Sequence, residues 1–308
     1  MRERGKKRGP KAALPTSSAY LLDRFSVDDI RGAREHTKNL LEFHWKYYTE
    51  LAFQRYEARK ELSAALSAAA CEAFEFKGWQ RVVPYQWSLV PLSSAGSLND
   101  PGGRFNFGAI DPRFAVFPAL YLAQDKETGF QEVLGQAPGH VVKHGPSELT
   151  ALDLALSKQD SISSLSVSGV LEVYIDLAQP ERLARFMEIL RGFSLSKELF
   201  GMAKALKLPP PTVLTRLDQL MIELLRPDWR AYPAQVDVPS NSQIFGQLVV
   251  DAGIDGIVFP SKFNGKSCLA LFPTLLSDSD TYAELDGSLP DAPVIRRLDR
   301  TTWPQLAH

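Results

Sequence analysis

Apolar residues recur at helical spacing through the first quarter of the chain. From Ala33 to about Phe76 there is no Pro or Gly, and Ala, Leu, Glu, Lys and Arg dominate. Leu41, Trp45, Tyr48, Ala52, Leu62, Leu66 and Ala69 fall mostly three or four apart. The pattern predicts one long amphipathic helix or a broken pair, ended by Gly78. From Arg81 the texture changes. Val82-Val83, Tyr85, Trp87 and Leu89-Val90 suggest a strand punctuated by prolines, and Ser93–Gly103 reads as a loop. Ala119–Ala123 is a short strand, and Asp125 is a plausible N-cap for a helix through Leu134.

Further along, Gly169–Leu177 reads as a strand. Pro180–Arg226 is mostly helical, interrupted by Gly192, Gly201 and Pro209-Pro210-Pro211. Ser242–Ala252 is another helix with Gly253 as its C-terminal cap. Ile257–Phe259 and Leu269–Phe272 are buried strands, and Pro293–Leu298 is a candidate edge strand. No internal repeat is visible. Helices and strands come in blocks, which predicts an α+β fold over a doubly wound sheet. Three segments follow: a basic tail and lead-in over 1–32, a helical extension over 33–78, and a larger α+β domain over 79–308 with a helical insertion at about 180–226.

Composition narrows the function classes. The chain has 308 residues, 44% of them hydrophobic, enough for a sizeable core. A net charge of −1 gives no field for nucleic acid, and the one dense basic run, Arg2–Lys11, reads as a solvated tail. Two cysteines, Cys71 and Cys268, argue against a disulfide scaffold or a structural zinc site. No apolar segment is long enough to span a bilayer, and no apolar stretch follows the basic N-terminus as in a signal peptide. The expectation is a cytoplasmic protein without nucleic-acid or membrane partners, with delivery to another cell by a signal-free route left open.

Some familiar signals fail on inspection. Gly265-Lys266-Ser267 resembles the end of a phosphate-binding loop, but Pro260 stands where that motif needs Gly. His36 and His44 lack metal-ligand spacing. No nucleophile elbow and no dinucleotide fingerprint after a strand is present.

Four scattered residues carry the candidate chemistry. Arg104 follows Gly102-Gly103, which lets a ligand approach closely, and its guanidinium can fork onto a diphosphate. Phe105 and Asn106 add an aromatic face and an amide. Tyr121 lies in a short apolar strand, where it is either core or a stacking surface for a flat ring. Glu132 lies on the predicted helix, sharing a face with Thr128 and Gly129. Ser261 follows Pro260 at the end of a buried strand, a place for ligand contacts and equally for a routine turn.

Taken in order, these pieces resemble the RES-domain family, named for its Arg, Glu and Ser. The matches are Gly102-Gly103-Arg104-Phe105-Asn106, Leu120-Tyr121-Leu122-Ala123, Glu132, Asp228-Trp229-Arg230-Ala231-Tyr232-Pro233, Gly256–Ser261 and Cys268–Phe272. They cover roughly Arg81 to Phe272. Phe105 departs from the family's usual Trp or Tyr, Gly129 from a small Ala, and the N-terminal helix lies outside the family domain.

The resemblance implies a small mixed or antiparallel sheet of ADP-ribosyltransferase-like type with flanking helices. It implies an enzyme that breaks the nicotinamide–ribose bond of NAD, its substrate, without a metal. Arg104 would hold the diphosphate beside Phe105 and Asn106. Tyr121 would stack nicotinamide, Glu132 would stabilise the developing ribosyl cation, and Ser261 would bond the nicotinamide amide or ribose. Water, inorganic phosphate or a protein side chain would accept the ADP-ribosyl group. The implied biology is a growth-inhibiting toxin with an antitoxin or immunity partner and a tendency to self-associate. ADP-ribosylation of a protein target and NAD binding without turnover are the alternatives.

Overall fold

A computed structural model describes residues 27–84, 87–134, 162–287 and 294–306. The basic run Arg2–Lys11, Tyr85 and Pro293 lie outside them. The N-terminal helical pattern is a broken pair, α1 (Val27–Glu57) and α2 (Arg59–Ala69). It is followed one residue later by a 14-residue strand, β1 (Cys71–Pro84). Helix therefore begins inside the expected lead-in and ends before Gly78. Gly78 sits within β1 at φ +69°, where the register shifts between Phe76 and Trp79. A residue without Cβ makes that bulge cheap.

The remaining elements are β2 (Leu120–Ala123), α3 (Lys126–Leu134) and a 15-residue β3 (Ile162–Asp176). The helical block holds α4 (Ala184–Arg191), α5 (Lys197–Ala205) and α6 (Leu217–Leu225). Gly201 lies inside α5 and does not interrupt it. Next come α7 (Ala231–Val236), α8 (Asn241–Asp251), β4 (Gly256–Pro260) and β5 (Ser267–Leu271). Strands β6 (Tyr282–Leu285) and β7 (Arg297–Leu298) and the short helix α9 (Trp303–Leu306) finish the described chain.

The fold is mixed α+β, one sheet with flanking helices. Its seven strands run β1-β2-β5-β4-β3-β6-β7, with a further pairing of β1 to β3. Gln80 is registered with both Ala123 and Ser166, and Tyr174 with both Cys71 and Gly256. Both edges of β1 and of β3 are thus used, and five strands close on themselves. All pairs are antiparallel except β3 with β4. One core lies under the helices, where Leu62 and Leu66 of α2 join Phe186, Leu224, Val249 and Phe259. The other lies on the opposite face, around Phe76, Val167, Leu269 and Leu298. Helix α2 is therefore part of the domain core and not an extension. No described helix is long and apolar enough to cross a membrane.

Candidate functional site

Strand β2, helix α3 and the segments after β4 and α6 surround one cavity of about 440 Å³. This lies within the 300–1,000 Å³ common for small-molecule sites. Arg104, Tyr121, Glu132, Trp229, Arg230 and Lys262 line it. The structure thus brings together three of the four residues singled out in the sequence.

The Gly102–Asn106 loop is held from three sides. Asn106 is fully buried; its Oδ1 accepts from the Gly103 N–H and the Tyr121 hydroxyl, both at 2.9 Å, and its Nδ2 donates to Ser97 and Phe117 carbonyls. The Tyr121 hydroxyl also accepts from the Phe105 N–H at 2.9 Å. From below, Gln243 donates to the carbonyls of Pro101, Gly103 and Asn106. Gln243 belongs to the capping box that opens α8 with Ser240. Glycine is required at 103 by close approach: a Cβ there would sit 2.3 Å from the Tyr121 hydroxyl.

This packing places two of the expected contact residues away from the cavity. Phe105 is fully buried and edge-packed on Phe259 at 4.9 Å between ring centroids. Neither Phe105 nor Asn106 lines the cavity. Arg104 faces the cavity while the two residues after it are buried and fix the loop.

Arg104 is 6% exposed, and its guanidinium is anchored by Nη1, which donates to the carbonyls of Leu224 at 3.4 Å and Arg226 at 2.8 Å. Nε and Nη2 make no hydrogen bond to a described residue. Burial lowers its pKa, and the field of Glu132 opposes that. Burial also lowers the pKa of Lys262; Glu132 raises it, and Arg104 and Arg230 lower it. These mutual influences place three cations and one carboxylate within each other's field. Among the described residues, Glu132 is the sole carboxylate lining the cavity.

Glu132 is set by its helix. The Asp125 carboxylate caps α3 by accepting from the Thr128 N–H and hydroxyl, and pairs with Lys266 at 2.7 Å. Asn264 donates to the Thr128 hydroxyl at 2.9 Å, locking α3 to the loop after β4. Ser261 on that loop is buried and does not line the cavity. Its hydroxyl donates to Glu132 Oε1 at 2.6 Å and accepts from the Phe263 N–H at 3.2 Å. The hydroxyl expected to meet ligand meets the carboxylate instead.

Three further cations were not singled out by sequence. Arg81 lines the cavity and donates to the carbonyls of Pro91, Ser93 and Tyr121, tying β1 to β2. Burial pushes its pKa down to about 10. Arg230 follows Trp229 in a motif noted for its wording alone, and Lys262 follows Ser261; a charge beside a turn gives no signal of its own. Cys268 also lines the cavity, and burial followed by Glu132 pushes its thiol up, so it is an inert wall. No group of three or more His, Cys, Asp or Glu suited to a metal gathers among the described residues.

Among solved structures, the chain is similar to the M. tuberculosis MbcT–MbcA toxin–antitoxin complex, at 14% identity and a TM-score of 0.41, over 80% of this chain and 96% of that one. No curated protein matches. The sequence model of the RES domain matches residues 79–290, more than half of the chain, and the protein belongs to the RES-domain family.

Proposed function

We propose that this protein cleaves the bond between nicotinamide and ribose in NAD. The observation that carries the reading is the charge arrangement of the cavity: one carboxylate, Glu132, held by Ser261 at 2.6 Å and faced by Arg104, Arg230 and Lys262. A diphosphate suits the cations. Nη1 of Arg104 is anchored, so the guanidinium is positioned before substrate arrives and its remaining N–H groups serve the phosphate oxygens. The ring of Tyr121 offers a face to nicotinamide.

As the C–N bond breaks, its electron pair leaves with nicotinamide, which becomes neutral, and positive charge develops on the ribose. Glu132 stabilises that charge, and Ser261 fixes the carboxylate so that no reorganisation is needed during reaction. Water or inorganic phosphate then captures the ribosyl carbon, making the activity a glycohydrolase or a phosphorylase. A growth-inhibiting action inside cells, restrained by an antitoxin, belongs to the same proposal and is supported by family membership.

The test is incubation with NAD, with and without phosphate, following nicotinamide and the ADP-ribosyl product. Release by the native protein and its loss in Glu132→Gln is the expected result. No release by the native protein overturns the proposal. Induced expression should slow growth and lower cellular NAD, and Glu132→Gln should do neither.

A further inference from the structure

A second cavity, of about 550 Å³, lies between α1 and the helical block. Trp229 lines both cavities, and the Leu224 and Arg226 carbonyls on the shared wall accept from Arg104. The α1 side supplies Tyr47, Tyr48, Leu51 and Arg55, all outside the residues matched by the family. The opposite walls supply Phe193, Tyr232 and Phe245 among other apolar groups.

The charged groups of this cavity are unequally satisfied. Asp228 is taken by Arg226 through two bonds of 2.9 and 3.0 Å. Glu223 takes Arg226 at 3.4 Å and the Asn241 amide at 2.9 Å. Arg55 has no carboxylate partner among the described residues; its guanidinium lies 5.5 Å from the Tyr48 ring centroid and is met by the Tyr48 side-chain hydroxyl, a neutral group. Burial lowers the pKa of Arg55, with Tyr48 opposing. A partly buried guanidinium without an anion carries a desolvation cost, and a carboxylate or phosphate oxygen pair matches its fork. Aromatic walls with one charged anchor are the usual make-up of a small-molecule site.

We propose that this cavity is a second ligand site, taking a planar aromatic anion whose acidic group pairs with Arg55 and whose ring packs among Tyr48, Trp229 and Tyr232. The site is separate from the NAD cavity and does not rest on the NAD reading.

The test compares 2-naphthoate with its neutral amide, 2-naphthamide, by calorimetry on the full chain. The native protein should bind one naphthoate, at least tenfold tighter than the amide. Arg55→Met, which keeps the aliphatic stem, should remove that preference, while Lys262→Met, in the other cavity, should leave it. Near-ultraviolet circular dichroism checks that the variants are folded; if Arg55→Met is not, the comparison of acid and amide on the native protein still decides. Equal affinity for the two probes, a preference that survives Arg55→Met or disappears in Lys262→Met, or no saturable binding of naphthoate up to about 1 mM would each overturn the proposal.

Discussion

Replacing Ser261 by Ala separates two roles for its hydroxyl. The Ser261 side chain is buried, donates to Glu132 at 2.6 Å and does not reach the cavity, so its loss should act through the carboxylate. A hydrogen bond to a charged group contributes about 1.5–3 kcal/mol. At about 1.4 kcal/mol per decade of rate, the expected loss in kcat is about ten- to 150-fold. Water entering the cavity can partly replace the hydroxyl on Glu132, so the lower end is favoured. KM for NAD should stay within about threefold, because no substrate contact is removed. The assay is initial-rate nicotinamide release against NAD concentration, on native protein, Ser261→Ala, Glu132→Ala and the double variant. If Ser261 works only through Glu132, adding Ser261→Ala to Glu132→Ala costs nothing further. A tenfold rise in KM with kcat intact would refute this reasoning and return Ser261 to the substrate.

Glu132→Gln keeps the shape and removes the charge, so kcat should fall by about 10²–10³ with ADP-ribose affinity retained, measured by rates and calorimetry. Gly103→Ala places a Cβ 2.3 Å from the Tyr121 hydroxyl, and overpacking of this kind costs about 1–3 kcal/mol, read by denaturant unfolding. Phe105→Ala should cost about 3–5 kcal/mol in the same measurement, as a buried ring does; a loss under about 1 kcal/mol would restore Phe105 as a ligand contact. Lys262 has a pKa lowered by burial, so it loses its charge below the ordinary lysine value of 10.5. Affinity for ADP-ribose should therefore fall as pH rises through that range, and Lys262→Arg, which stays charged, should flatten the profile.

The parts of the fold legible in the sequence are those where local chemistry and burial agree. Asp125 before an amphipathic stretch is the cap of α3, and Gly253 closes the helix begun by Ser240. The apolar runs of β2, β4 and β5 are buried on both sides. The first part of strand β1 was hidden because Cys71–Phe76 is built from Cys, Ala, Glu and Phe and continues a helical run. Its conformation is set by pairing with β3, from Cys71 with Tyr174 onward. The first half of β3 is Ser-rich and reads as loop for the same reason, and β6 is four residues long. At the site, Arg104, Tyr121 and Glu132 were found by wording and converge on one cavity. Phe105, Asn106 and Ser261 lie outside its lining, because sequence names the loop but does not say which way each side chain turns. Lys262 and Arg230 acquire meaning only when the chain brings them opposite Glu132.

The same tertiary logic decides where the domain begins. The family match starts at residue 79, midway along β1, whereas the strand begins at Cys71 and pairs with β3 on both sides of that point. Directly before it, Leu62, Ala65, Leu66 and Ala69 of α2 are buried in the core beneath the helices. Helix α1 is attached differently, by a small apolar cluster of its Phe43 with Leu199 and Ala203 of α5 and by polar and aromatic clasps. Glu50 accepts from Ser196, Gln54 exchanges bonds with Ser194, and Trp45 lies between the Arg113 guanidinium and the Phe114 ring. That cluster is separate from the large core that α2 joins and buries far less apolar area, so the physical boundary between core and addition falls between α1 and α2, not at the start of the family match. That division places Arg55 and the α1 wall of the second cavity on the added element, while the cavity around Glu132 is lined wholly from the core.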